Sequence, residues 1–261
     1  MVRILSALVL MPVFGAAIWF LTSLQLLAVA LLVLAVAFVE YVRLADRLGV
    51  PMPRLVAGAA AAAACVGVGW PGVSAEVPLL AALVALAGLA IGERSVGPAA
   101  FHRLGASLLG VVWLGLPMGT LVVIHREVGR ETLLLLLAVV IASDTAQLCV
   151  GKLLGRHPLA PAISPKKSVE GAVGGFVGGV AVMVAAGPWA LPGIGPWWLA
   201  GLGAVVVAAG MLGDLFESLL KRSAGVKDSS GLIPGHGGML DRIDALLLAA
   251  PAFWIAVGYF G

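Results

Sequence analysis

An all-α membrane protein crossing the bilayer about nine times is what this sequence predicts, and three observations predict it. Of its 261 residues, 61% are hydrophobic and only 11% charged, against about 25% charged in an ordinary soluble domain. A chain of this length cannot hide so much apolar surface in its own core, because roughly a quarter of the unfolded surface stays exposed after folding. Nine apolar stretches approach or reach the length of a spanning helix, roughly 17–25 residues. Finally, no segment keeps up the period-2 alternation of a strand, and an open sheet could not satisfy its backbone in lipid.

In order, the candidate spans cover about 4–21, 24–44, 55–71, 77–92, 105–125, 132–151, 171–188, 197–220 and 243–260. The first follows Arg3 and would also suit a signal peptide. A second apolar run resumes after only Thr22, Ser23 and Gln25, which favours a helical hairpin. Cys65 and Cys149 lie in apolar stretches and read as small fillers, not as a disulfide or metal site. The span at 171–188 carries Gly171, Gly175 and Gly179 at four-residue spacing, with Gly174 and Gly178 in a parallel register. Small residues so spaced let helix backbones approach closely in a bilayer, so the glycines read as packing before chemistry. With no long linker and no internal repeat, the chain reads as one domain. Its N-terminal spanning helices occupy 1–130 and its C-terminal region 131–261.

Lys and Arg set the orientation. Arg43, Arg47, Arg54, Arg94, Arg103, Lys152, Arg156, Lys166, Lys167, Lys221, Arg222, Lys227 and Arg242 fall on one side. Only Arg3, Arg126 and Arg130 fall on the other. The loops after the even-numbered spans should therefore be cytoplasmic, in a plasma or inner membrane, with both termini outside. The net charge of +3 is small and scattered, which argues against a nucleic-acid surface.

Polar residues are most informative where the bilayer makes them costly, and the second half concentrates them. The segment 143–171 places Asp144 inside an apolar run, with Ser143, Thr145 and Gln147 beside it. Asp144 can be read as a buried strut to a neighbouring helix or as a ligand contact. The following loop offers Lys152, Arg156, His157, Lys166, Lys167 and Ser168, stiffened by Pro158, Pro161 and Pro165. Such a loop suits a phosphate-rich ligand, and equally anionic headgroups.

The segment 213–244 is sharper. If the eighth helix runs through Arg222, then Asp214, Glu217, Ser218 and Lys221 share a face. A Gly/Ser loop with Lys227, Asp228 and His236 follows, then Gly237 and Gly238, then Asp241, Arg242 and Asp244 at the start of the ninth helix. Carboxylates are favoured at that positive helix end in any case. Carboxylates from two helices, several cations and a glycine loop suit nucleotidyl or phosphoryl transfer. The carboxylates hold Mg²⁺, the cations neutralise phosphates, and glycines let backbone N–H groups approach phosphate oxygens. No G-x-S-x-G and no P-loop occurs, so a serine nucleophile and an ordinary NTPase are disfavoured.

These residues resemble the signature of the phosphatidate cytidylyltransferases. That pattern is S-x-apolar-K-R, four residues, K-D, a short loop, H-G-G, two residues, then D-R-apolar-D. Ser218, Lys221, Arg222, Lys227, Asp228, His236, Gly237, Gly238, Asp241, Arg242 and Asp244 match it at every spacing. Asp144–Thr145 and the stretch Ser164–Gly171 are similar to the family as well, whereas Leu148 and Cys149 stand where it often has an aromatic residue. The resemblance implies an all-α polytopic fold with its site between the C-terminal helices at the cytoplasmic side. It also implies that CTP and phosphatidic acid are joined to CDP-diacylglycerol, with pyrophosphate leaving. Asp214 and Asp241 would hold Mg²⁺, with room for a monovalent cation such as K⁺ beside it. Lys221, Arg222 and Asp244 join these two as the catalytic set. Asp144, Lys166, Lys167, Ser168, Ser218, Lys227, Asp228, His236, Gly237, Gly238 and Arg242 would contact substrate. Membrane lipids are the expected surroundings, nucleic acid is not a partner, and a homodimer is allowed. The competing readings are a CTP-dependent polyprenol or phytol kinase, an isoprenoid-phosphate cytidylyltransferase, and, from another class, a transporter. Polar residues confined to one half argue against transport.

Overall fold

The computed structural model describes residues 12–72, 74–93, 96–232 and 237–258. Arg3, Arg94 and His236, which the sequence reading used, lie outside them. Helix follows helix: α1 (12–20), α2 (Ser23–Arg47), α3 (Arg54–Gly69), α4 (Glu76–Gly92), α5 (Pro98–Val128), α6 (Arg130–Leu154), α7 (Val169–Ala190), α8 (Pro196–Ser223) and α9 (Leu240–Gly258). Among the described residues, α2, α5, α6, α7 and α8 are long and apolar enough to cross a membrane. Helices α3 and α4 are shorter apolar helices.

The breaks have local causes. Thr22, between the first two apolar runs, caps α2 and forms a capping box with Gln25, which answers two otherwise unpaired backbone donors. Gly97, at φ +128°, turns the chain before Pro98 opens α5, since proline suits a first helical position. Helix α5 is longer than the 105–125 expected and is interrupted by π-helical turns at Val111–Gly115 and Ile124–Val128.

No strand was expected, yet two form. Between α6 and α7, β1 (Pro158–Ala160) and β2 (Ser164–Ser168) pair antiparallel, Pro158 opposite Ser168 and Ala160 opposite Ser164. The hairpin spans nothing and buries little, so it lacks the alternation that would reveal it. Pro158 and Pro165 lack the N–H that further pairing would need.

Two compact units divide the chain. The first comprises Met1–Val123 with Leu220–Ile243, and the second Ile124–Leu219 with Asp244–Gly261. In the first, Tyr41 donates its hydroxyl to the Ala106 carbonyl at 2.7 Å, tying α2 to α5. Gly115 lies so close to α3 that a Cβ would meet the Ala61 backbone. In the second, both glycine rows of α7 face α6, as the packing reading of their spacing requires. A Cβ on Gly171 would come within 2.8 Å of the Gln147 carbonyl oxygen, one on Gly175 within 2.8 Å of that of Ser143, and one on Gly178 within 2.7 Å of the Ala146 Cβ. We expect Gly175→Leu to destabilise the protein by about 1–3 kcal/mol through overpacking. A thermal melt in detergent checks this, and a wild-type melting temperature would mean that α6 and α7 do not need the close approach.

Candidate active site

Helix α8 runs through Arg222 to Ser223, so Asp214, Glu217, Ser218 and Lys221 do fall along one face at 3.6 residues per turn. The chain then turns at Gly225, with φ +69°. The Val226 N–H returns to the Lys221 carbonyl at 2.9 Å, and Arg222 Nη1 donates to the Val226 carbonyl at 3.3 Å. Lys227, Asp228 and Arg242 are exposed, while Ser218 is partly buried.

In the first unit, Lys221 and Asp241 form a buried ion pair, Nζ to Oδ1 at 2.5 Å. Their side chains are only 11% and 7% exposed. The other oxygen, Oδ2, accepts from Ser229 N at 2.9 Å, Ser229 Oγ at 2.7 Å and Gly238 N at 2.7 Å. Lys221 thus offsets the charge of the carboxylate, and three neutral donors fix its orientation, as a desolvated ion requires. Gly237 has φ +78°, and a Cβ there would run into the Asp241 carboxylate. Both requirements exclude other residues at this position.

In the second unit, Lys167 at the end of β2 is paired with Asp214 on α8. Ser168, expected to touch substrate, is buried and caps α7 by accepting from Gly171 N at 3.1 Å. Glu170 holds the loop by accepting from Arg156 N at 3.0 Å and His157 N at 3.2 Å, and its Oε1 meets His157 Nδ1 at 2.5 Å. Lys152, Lys166 and His157 are exposed. Asp144, on α6, is exposed as well. Asp244 is partly buried, its Oδ1 accepting from Ala245 N at 2.8 Å, where α9 passes within a Cβ's reach of Gly213.

The sequence reading missed Glu40. This residue of α2 is 2% exposed and accepts four hydrogen bonds. A carboxylate inside an apolar run is the same signal that drew attention to Asp144. Among the described residues, no group of three or more His, Cys, Asp or Glu is placed to hold a metal ion. Asp214 and Asp241 nevertheless each carry a cation already, a lysine ammonium. Hard carboxylate oxygens that accept an ammonium are also the donors Mg²⁺ takes, with waters and substrate phosphates completing its shell.

With this geometry in view, comparison with known proteins is informative. The profile of the cytidylyltransferase family matches residues 1–260. A phosphatidate cytidylyltransferase of Mycobacterium bovis is 39% identical over 154 residues, 58% of this chain and 50% of that protein. One from Thermotoga maritima is 36% identical over 160 residues, 59% of each. The uncharacterized protein YnbB of Escherichia coli is 39% identical over 131 residues, 50% of this chain and 44% of that one. The chain spans about half the length of the curated relatives it matches.

Proposed function

Because the chain belongs to the cytidylyltransferase family, we propose that it joins CTP to phosphatidic acid in a membrane, forming CDP-diacylglycerol and releasing pyrophosphate. The observation that carries this reading is the buried Lys221–Asp241 pair, held by Gly238 and Ser229 of the loop that bears the signature. A phosphate entering beside it can draw the ammonium away from the carboxylate, so the site exchanges one ion pair for another and never leaves a buried charge alone. An oxygen of the lipid phosphate attacks the α-phosphorus of CTP, and the bond from that phosphorus to the oxygen bridging to the β-phosphate breaks. No general base is needed, since a second phosphate pKa near 6 leaves the nucleophile largely ionised at neutral pH. Lys221, Arg222, Lys167 and Lys227 hold phosphates in this reading. Asp214 and Asp241 are each a carboxylate that would take Mg²⁺, whose chemistry when bound is to neutralise charge developing on the phosphates. Positioning and charge neutralisation supply the rate.

Purified protein with radiolabelled CTP and either phosphatidic acid or a polyprenol tests the proposal. Label entering a CDP-lipid from phosphatidic acid supports it. Label only with an isoprenoid phosphate, or phosphorylation of the polyprenol, would move the chain to a neighbouring activity.

Lys221 and Arg222 are expected to serve phosphates and not the choice of base. Bases are told apart by hydrogen bonds at their edges, which two cations at the end of a helix are poorly placed to make. Lys221→Ala and Arg222→Ala should lower turnover with CTP and dCTP alike, by roughly 10- to 150-fold for a lost charge-assisted contact of about 1.5–3 kcal/mol. Neither should admit UTP or ATP. Steady-state kinetics with the four nucleotides decide, and a new preference for UTP would put the base pocket at these residues.

The site faces the cytoplasm in this proposal, on the strength of 13 Lys and Arg against 3. Ser168 is a buried cap, so the probe belongs at the exposed Ala162 in the hairpin turn. Ala162→Cys, in a background lacking Cys65 and Cys149, should react with an impermeant reagent only from the cytoplasmic side. Labelling from outside intact cells would reverse the topology.

A further inference from the structure

Glu40 lies on α2, far in sequence from the signature, and four hydrogen bonds tie it there. Its Oε1 accepts from Ser230 Oγ at 2.5 Å and from Met239 N at 3.0 Å. Its Oε2 accepts from Ser229 Oγ at 3.0 Å and from Leu240 N at 2.8 Å. Met239 immediately precedes α9 and Leu240 opens it, where the first N–H groups have no partner within the helix and carry its positive end. A buried carboxylate from another helix therefore caps α9. Asp241, one residue further on, is released from that task. Ser229 is the link between them, because the hydroxyl that reaches Glu40 also stands 2.7 Å from Asp241 Oδ2. A hydroxyl has a single proton to donate, so the two carboxylates share it, and strengthening one bond weakens the other. Gly238 completes the arrangement. A Cβ on it would strike Ser229 Oγ and both Glu40 oxygens, so that glycine of the signature makes room for Glu40 itself.

We propose that Glu40 is a positioning residue of the reaction: through Ser229 and the capped start of α9 it holds Asp241 with one oxygen saturated and the other turned to Lys221. The inference rests on the nucleotidyl-transfer reading for its kinetic consequence and on the geometry alone for its structural one. Glu40→Gln tests both. Its amide NH₂ must face either Ser230 and Met239 N–H or Ser229 and Leu240 N–H, and in either orientation a backbone donor loses its acceptor. Ser229→Ala is the second variant, cutting the link without touching the cap. Ser230→Ala is the control, since Ser230 binds Glu40 but is not seen to bond Asp241.

The expected results separate positioning from mere support. In folded protein, Glu40→Gln and Ser229→Ala each lower kcat by about 10- to 100-fold, as loss of a supporting hydrogen bond does to a charged site. Their double variant falls well short of the product of the two, because the pair acts through one bond. Ser230→Ala leaves kcat near that of the wild type. Amide hydrogen exchange across Gly237–Asp241 accelerates in the first two variants and not in the third. Unchanged kcat and exchange in folded Glu40→Gln, or effects that multiply in the double variant, would overturn the proposal. If Glu40→Gln does not fold, normal kcat and exchange in Ser229→Ala overturn it. Should the wild type transfer nothing from CTP, the functional reading fails alone, and the exchange pattern still decides whether Glu40 positions Asp241.

Discussion

Asp241→Asn is expected to lower turnover by about 10³-fold, at the upper end of what removal of one preorganised electrostatic group costs. The argument goes beyond the missing charge. The carboxylate accepts from Lys221 at one oxygen and from Ser229 N, Ser229 Oγ and Gly238 N at the other. An asparagine presents one acceptor and one donor. If its NH₂ takes the place of Oδ2 it confronts two backbone N–H groups, and if it takes the place of Oδ1 it confronts the ammonium. Either orientation strands a buried donor, and Lys221 is left with a desolvated charge lacking its counterion. We therefore expect a lower melting temperature together with the loss of activity. Kinetics and thermal melts on purified protein check both, and turnover within a few fold of the wild type would remove Asp241 from the catalytic set.

Asp214→Asn should also cost turnover, by roughly 10²- to 10³-fold, yet leave stability almost unchanged. Its partner Lys167 and Asp214 itself are 18% and 26% exposed, a partly buried pair but more open than Lys221–Asp241, so its loss should cost only about 1 kcal/mol. A pair retained for structure would tolerate exchange of its two charges. The double variant Lys167→Asp with Asp214→Lys is therefore the informative construction: it should fold and remain inactive. Recovery of activity on exchanging the charges would show that the pair serves only the hairpin.

Much of this protein was legible without its fold. That Asp241, Lys221, Gly237 and Gly238 lie together is foreshadowed by their short spacings, which a loop and two helix ends preserve. The candidate spans at 24–44, 132–151, 171–188 and 197–220 correspond to α2, α6, α7 and α8, since hydropathy is a local property that folding does not alter. The glycine rows of α7 foretold a close neighbour but not which one. That α6 fills the role follows from the shapes of two surfaces that meet only when the chain is packed.

Ser168 looked like a phosphate contact and is a helix cap, because a hydroxyl before a helix can always turn inward to the backbone. The hairpin at β1 and β2 was invisible because it is short and buries little of its surface. Glu40 was passed over because a carboxylate in an apolar run names no partner: its donors lie about 190–200 residues away in sequence. Composition and hydropathy thus determined that the chain is a run of long apolar helices. Which lysine neutralises which aspartate, and which carboxylate caps α9, was decided by tertiary structure alone. The physical reason is that an ion pair depends on distance in space, and no spacing along a chain contains that distance until the helices have packed.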